Sequence, residues 1–236
     1  MNIAVIPARG ESKRIKNKNI YDFCGKPIIY YSIISAIESK LFDKVIVSTD
    51  SNKIADISRS FGAETPFKRP KEISNDYATT LDVMAHSSKW LFECFENIES
   101  ICCIYATAPL LQIQDLVKAY NDYKTKKWNY IFSATNFNYP IERALKKNSD
   151  NSVSMYFPDN FNSRSQDFKP AFHDAGQFYI GKPESWIRKE NFFNDKSKAI
   201  IIPSWRVQDI DTLEDWERAE KIYQLLNKNG KKSNEK

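Results

Sequence analysis

Residues able to handle phosphate gather near the two ends of the chain. Close to the start, Arg9, Gly10, Ser12, Lys13, Arg14, Lys16, Lys18 and Asn19 fall in one short stretch, opposed only by Glu11. Guanidinium and ammonium groups neutralise anionic oxygens, while loop N–H groups and the Ser12 hydroxyl can donate to them. Near the other end, Asp209 and Asp211 are separated by one residue. An extended backbone points both carboxylates to the same side. Hard oxygen ligands of this kind suit Mg2+, which takes one or two carboxylates and completes its shell with water and substrate phosphate. Each reading has a plainer rival. Most basic stretches are solvated loops, and Asp211-Thr212 could equally cap a helix.

The surrounding pattern indicates what must position these groups. Ile3–Ile6 is a short apolar run of the kind found in buried strands, broken by Pro7 and Gly10. Loops at the carboxyl ends of strands are where open α/β sheets bind ligands. Pro27–Ile37 then reads as a largely buried helix with Pro27 in its first turn. Lys44–Thr49 reads as a second strand, and Asp50-Ser51 as the cap of a helix that ends near Ser60 and is closed by Gly62. This β-α-β-α order predicts a parallel sheet with right-handed crossovers.

A polar loop, Pro66–Thr80, leads into a helix over Leu81–Ile98. Ser100–Tyr105 and Trp128–Ala134 read as strands around a helix over Ile113–Lys124. From Thr135 to Ala171 Asn, Pro, Ser and aromatic residues interleave without helical period, with one strand-like run at Ser152–Phe157. Long non-helical excursions in a compact chain are usually functional. Phe172–Ile180 and Lys198–Pro203 return to strand character, with a short helix opening at Pro183 between them. The last helix, about Thr212–Lys228, places Leu213, Trp216, Ala219, Tyr223 and Leu226 on one stripe.

Composition narrows the classes. The 236 residues, 42% hydrophobic and 28% charged, suffice for one globular domain with a sizeable core. Of the net charge of +5, residues 227–236 carry +3 and read as a disordered basic tail. The +2 left for the remainder argues against a nucleic-acid partner. No apolar run approaches the roughly 20 residues of a membrane span. The strand pattern begins at once, so no signal peptide is expected and a cytoplasmic location is. Cys24, Cys94, Cys102 and Cys103 lack metal or disulfide spacing and read as free thiols, with Cys102 and Cys103 on opposite faces of a strand.

Pro7-Ala8-Arg9-Gly10 followed by Ser12-Lys13 and Lys18-Asn19 resembles the nucleotide-binding signature of the CMP-sugar synthetases. These cytidylyltransferases activate nine-carbon 2-keto (nonulosonic) acids. Many members carry Gly in place of Glu11, which is therefore expected to point away. Arg69-Pro70 with Asp76, Thr79 and Thr80 resembles the family's cytidine-holding segment, and Asp209-Ile210-Asp211-Thr212 its metal-binding segment. Tyr105 stands where other members have Gln. Together with the run His173–Tyr179, it is more similar to the pseudaminic-acid branch than to the sialic-acid branch.

The resemblance runs from Ile3 to about Leu226. It implies a three-layer α/β/α Rossmann-like nucleotidyltransferase fold with a mostly parallel sheet. Residues 1–226 would form one domain, with 135–171 an inserted dimerisation arm that also closes the sugar pocket. Catalysis would fall to Arg9, Lys18 and Asp211. Ala8, Arg9, Gly10, Ser12, Lys18, Asn19, Arg69 and Thr80 would bind the nucleotide. Tyr105, Arg164 (or Arg143), His173, Gln177 and Tyr179 would bind the sugar, and Asp209 and Asp211 would hold Mg2+. The implied substrates are CTP and a nonulosonic acid, pseudaminic acid ahead of sialic or legionaminic acid, used by a homodimer that feeds cell-surface glycosylation. The alternative from another enzyme class is a metal-dependent glycosyltransferase, which would release no pyrophosphate.

Overall fold

The computed structural model describes the backbone of residues 1–233 and the side chains of residues 1–227. Strand β1 (Asn2–Pro7) enters the basic loop, followed by a hairpin of β2 (Asp22–Phe23) and β3 (Lys26–Pro27) and by helix α1 (Ile29–Glu38). Next come β4 (Lys44–Ser48), α2 (Asn52–Ser60), α3 (Thr80–Cys94), β5 (Ser100–Ile104), α4 (Ile113–Tyr123) and β6 (Tyr130–Asn136). The excursion carries a small hairpin, β7 (Leu145–Lys147) and β8 (Val153–Met155), among 3-10 turns. The chain closes with β9 (Phe172–Gly181), α5 (Pro183–Ile187), β10 (Ser197–Ile201) and α6 (Leu213–Ser233).

Six strands form one sheet in the order β10-β6-β9-β5-β1-β4. β1 runs parallel to β4 and β5, β10 runs parallel to β6, and β9 is antiparallel to both its neighbours. Both faces are covered, which explains why the strands read as continuous apolar runs. Ala4, Ile6, Cys102 and Ile104 pack with Ile33 of α1, Ile54 of α2 and Leu116 of α4. Ile3, Val5, Ile101 and Cys103 pack with Met84 and Leu91 of α3 and Trp186 of α5. The expected three layers are present, and the adjacent cysteines do face opposite ways.

A third, smaller core brings the two ends of the chain together. Ile15 of the basic loop, Ile210 between the two aspartates, and Phe23, Ile28, Tyr31, Trp216 and Ala219 form one buried cluster. Phe23 meets Trp216 edge-on at 5.6 Å. Ile15 is 4% and Ile210 1% exposed, so each polar loop is pinned by a buried isoleucine. Burying such a side chain contributes about 1.5–3 kcal/mol.

Several boundaries differ from expectation. Pro27 pairs with Asp22 at the end of the β2–β3 hairpin, and α1 begins only at Ile29. Helix α3 ends at Cys94, short of Ile98, because the chain turns through a left-handed Asn97 (φ 55°) to enter β5. Leu213 is exposed, so the buried stripe of α6 starts at Trp216. That helix continues past Lys228 to Ser233, into the stretch expected as a basic tail. Residues 234–236 of that tail lie outside the described residues.

Candidate active site

The basic loop folds back over the carboxyl ends of β1 and β5 and forms one wall of a cleft of about 510 Å³. Arg9, Ser12, Lys13, Arg14, Lys18 and Asn19 line that wall, and Arg69, Asp76, Thr80 and Tyr105 line the other sides. The loop is held by its backbone. The Gly10 N–H donates to Asp50 Oδ1 at 2.8 Å, and Asn19 Nδ2 donates to the Arg9 carbonyl at 2.9 Å. A Cβ on Gly10 would lie 3.0 Å from Ser51 Cβ, so a larger residue would crowd the capped start of α2. Gly10 and Asn19 therefore shape the loop through these bonds. Ala8 is buried in the core and donates its N–H to the Ser48 carbonyl, so it supports the cleft from behind. Glu11 is exposed and does not line the cleft, as expected.

Carboxylates occupy the cations of this wall. Asp76 takes Arg9 at 2.7 Å and Lys13 at 2.5 Å, and these partners, Lys13 foremost, hold its carboxyl below the usual range. Asp211 takes Arg14 at 2.5 Å and Lys18 at 3.4 Å. The cap reading of Asp211 is overturned. Thr212 Oγ1 accepts from the Asp215 N–H, and Asp215 Oδ2 accepts from the Thr212 N–H, a capping box that leaves the Asp211 carboxylate free for the cations. The neighbouring Asp209 carboxyl is pushed up, by desolvation first and the Asp211 charge second. No group of three or more metal-ligating side chains occurs among the described residues, so a metal here would draw its other ligands from water and substrate. That donor set fits Mg2+.

Arg69 is the most constrained member. It is 4% exposed, and neither its Nε nor its Nη2 has a hydrogen-bond partner, the nearest Asp50 oxygen lying 3.8 Å away. Burial lowers its pKa, the attraction of Asp50 notwithstanding. Thr80 opens α3 immediately after a capping box between Thr79 and Asp82. Its Oγ1 lies 2.8 Å from the Tyr105 hydroxyl, which burial pushes up to about 12.

The residues expected at the sugar are scattered. Only Tyr105 lines this cleft. Gln177 is 3% exposed, with Nε2 donating to the Arg206 carbonyl. Tyr179 is fully buried and its hydroxyl donates to Asp174. His173 is exposed, contacts the Phe137 ring and lines two other pockets, of about 550 and 340 Å³, outside the cleft. Arg164 is exposed on the arm. Arg143 is bound within the arm, donating to the carbonyls of Asn160, Phe161 and Ser163.

Sequence reasoning missed the supports. Arg206 pairs with Asp115 of α4 at 2.7 Å, anchoring the chain just before Asp209. Asp50, read only as a cap, is the anchor of Gly10. Their only signal was an ordinary acid near a helix start.

A six-stranded, mostly parallel sheet with cations at one strand end and carboxylates brought alongside is the arrangement of a nucleotidyltransferase. The chain matches the solved structure of CMP:2-keto-3-deoxy-manno-octonic acid synthetase complexed with CTP at a TM-score of 0.68 and 14% identity, over 97% of this chain and 99% of that one. Residues 3–228 match the model of the cytidylyltransferase family, and the chain belongs to that family. It is 42% identical to the pseudaminic acid cytidylyltransferase of Campylobacter jejuni over 95% of this chain and 97% of that protein. It is 30% identical to the N-acylneuraminate cytidylyltransferase of Escherichia coli, covering 96% of this chain and 53% of that protein.

Proposed function

We propose that this enzyme transfers the cytidylyl group of CTP to pseudaminic acid, giving CMP-pseudaminic acid and pyrophosphate. The observation that carries this reading is the cleft itself, in which Arg9, Lys13, Arg14 and Lys18 are neutralised by just two carboxylates, Asp76 and Asp211. A triphosphate supplies the missing negative charge. The choice of sugar rests on the similarity to the Campylobacter enzyme, with sialic and legionaminic acids the rivals.

In this reading the anomeric hydroxyl of the acid attacks the α-phosphate and pyrophosphate leaves. Arg9 and Lys18 bind phosphate oxygens and stabilise the charge that develops on them. Ser12 donates a further hydrogen bond. Gly10 and Asn19 hold the loop that presents these groups, with Ala8 behind it. Arg69, the buried cation of the wall, and Thr80 flank the cytidine. Positioning and charge neutralisation supply most of the acceleration in such transfers. Asp209 and Asp211 would hold Mg2+, which when bound polarises phosphate oxygens and lowers the pKa of a coordinated hydroxyl.

The sugar side is completed by a second copy of the chain. Tyr139, Leu145, Val153, Tyr156 and Phe161 of the arm are all more than half exposed. Such a concentration of apolar surface marks an interface. Arg164 and His173 would reach a sugar only in that assembly, while Gln177 and Tyr179 act from behind the pocket wall. No helix among the described residues is long and apolar enough to cross a membrane.

Pyrophosphate release with CTP, Mg2+ and pseudaminic, legionaminic or N-acetylneuraminic acid tests the reading. Turnover with pseudaminic acid alone is expected. Turnover with another acid overturns the sugar, and silence with all three from folded protein overturns the activity.

A further inference from the structure

Three segments converge on one carboxylate that stands behind the cleft. Asp50 follows β4 and does not line the cleft itself. From one side the loop after β1 reaches it, and the Gly10 N–H donates to its Oδ1 at 2.8 Å. From the other side comes the segment that precedes α3. Thr49 pairs with Lys68 in a parallel bridge, and the Arg69 N–H donates to the Thr49 carbonyl at 2.8 Å, which lays Arg69 alongside Asp50. Arg69 Nη2 lies 3.8 Å from the same Oδ1. One carboxylate oxygen thus faces both the backbone of the basic loop and the guanidinium of another wall of the cleft.

The two contacts ask different things of residue 50. The Gly10 N–H needs only an acceptor, and an amide oxygen serves as well as a carboxylate. Arg69 needs a negative charge. It is 4% exposed, and its Nε and Nη2 have no hydrogen-bond partner. Asp50 is the one carboxylate within 4 Å of its guanidinium among the described residues. A buried cation is costly unless a counter-charge stands near it, and attraction at this distance is much stronger inside a protein wall than in water. We propose that Asp50 is a positioning residue with two separable functions. As an acceptor it fixes the phosphate loop, and as an anion it holds Arg69 where the cytidine half of CTP meets it. The inference rests on the cleft being the CTP site. A neutral acceptor at position 50 would then weaken the grip on the nucleoside and spare the grip on phosphates.

The test is a cycle of variants in the full chain, D50N, R69M and D50N/R69M. Calorimetry gives Kd for CTP and for inorganic tripolyphosphate, which lacks the nucleoside, and thermal melting gives Tm. The amide of D50N still accepts from Gly10. D50N is expected to weaken CTP binding about tenfold, as loss of a charge-assisted contact does, with tripolyphosphate affinity within about threefold of wild type. A loop merely loosened by the substitution would lose both ligands alike. R69M should show the same selective loss. In the R69M background D50N should neither weaken CTP further nor lower Tm, because no buried cation remains to be balanced. Unchanged or tighter CTP binding in D50N, equal losses for the two ligands, or full additivity in the double variant overturns the proposal. Should D50N alone fail to fold, the double variant, free of the buried cation, is expected to fold. An unfolded double variant would assign Asp50 to the loop alone and overturn the proposal. Wild-type CTP binding without turnover sinks the sugar chemistry alone, and the comparison of CTP with tripolyphosphate still decides the role of Asp50. Wild type without CTP affinity overturns both.

Discussion

The cleft and the arm are built on opposite plans. The loops that carry the charged groups of the cleft are fixed from behind. Gly10 is tied to Asp50, Asn19 to the Arg9 carbonyl, and the aspartate loop to the basic loop through Ile15 and Ile210. The arm, residues 135–171, has one hairpin of two short strands and turns whose aromatic and aliphatic side chains face outward. The cleft is complete within one chain, whereas the arm has no core of its own and is proposed to meet a second copy. The contrast separates what should fail through chemistry from what should fail through assembly.

The largest expected effect lies in the cleft. Arg9→Ala or Lys18→Ala should lower kcat/KM by about 10²–10³, the range seen when a group that stabilises developing charge is removed. Pyrophosphate release measures it, and a loss under tenfold would show that the loop cations do not touch the reacting phosphate.

Arg69 sharpens the same side. It is a buried cation with unpartnered nitrogens, and such a group costs stability unless a ligand uses it. Arg69→Met should weaken CTP binding about tenfold or more, as loss of a charge-assisted hydrogen bond does, while leaving Tm equal or higher. A lower Tm with unchanged CTP affinity would mean that Arg69 serves the fold.

The arm should respond in the other currency. Tyr139→Ser with Phe161→Ser should shift sedimentation toward the monomer and make activity depend steeply on protein concentration, with CTP binding retained. A monomeric wild type, or a dimeric double variant, removes the proposed role of the arm.

The smallest effect concerns Asp209. Its folded pKa is raised, so ionisation opposes folding once the pH rises above the unfolded value of about 3.9. Asp209→Asn should raise Tm slightly at pH 7 without metal, and the gain should vanish as the pH falls below about 4. Added Mg2+ should raise Tm for the wild type more than for the variant. A gain that is the same at pH 3 and pH 7 would assign it to something other than charge.

Much of this was legible in the chain. Apolar runs at Ile3–Ile6 and Ser100–Tyr105 predict buried strands because a parallel sheet covered on both faces leaves no polar side. Ser51 announces a helix because its side chain satisfies one of the first free N–H groups. The cations of 9–19 and the pair Asp209 and Asp211 raise the expectation of phosphate and metal chemistry by residue type, beside the plainer readings of a solvated loop and a helix cap. What could not be read is who meets whom. That Ile15 and Ile210 share a core, that Thr212 and not Asp211 caps the last helix, and that Asp76 spans Arg9 and Lys13 are contacts between segments distant in sequence or choices between adjacent side chains. Tyr179 shows the limit most plainly. Strand alternation cannot foresee the register shift at Gly176 that turns Asp174 toward its hydroxyl. Local patterns report propensity and type, whereas pairing across the sheet, and with it the partners of each functional group, is decided only when the chain packs.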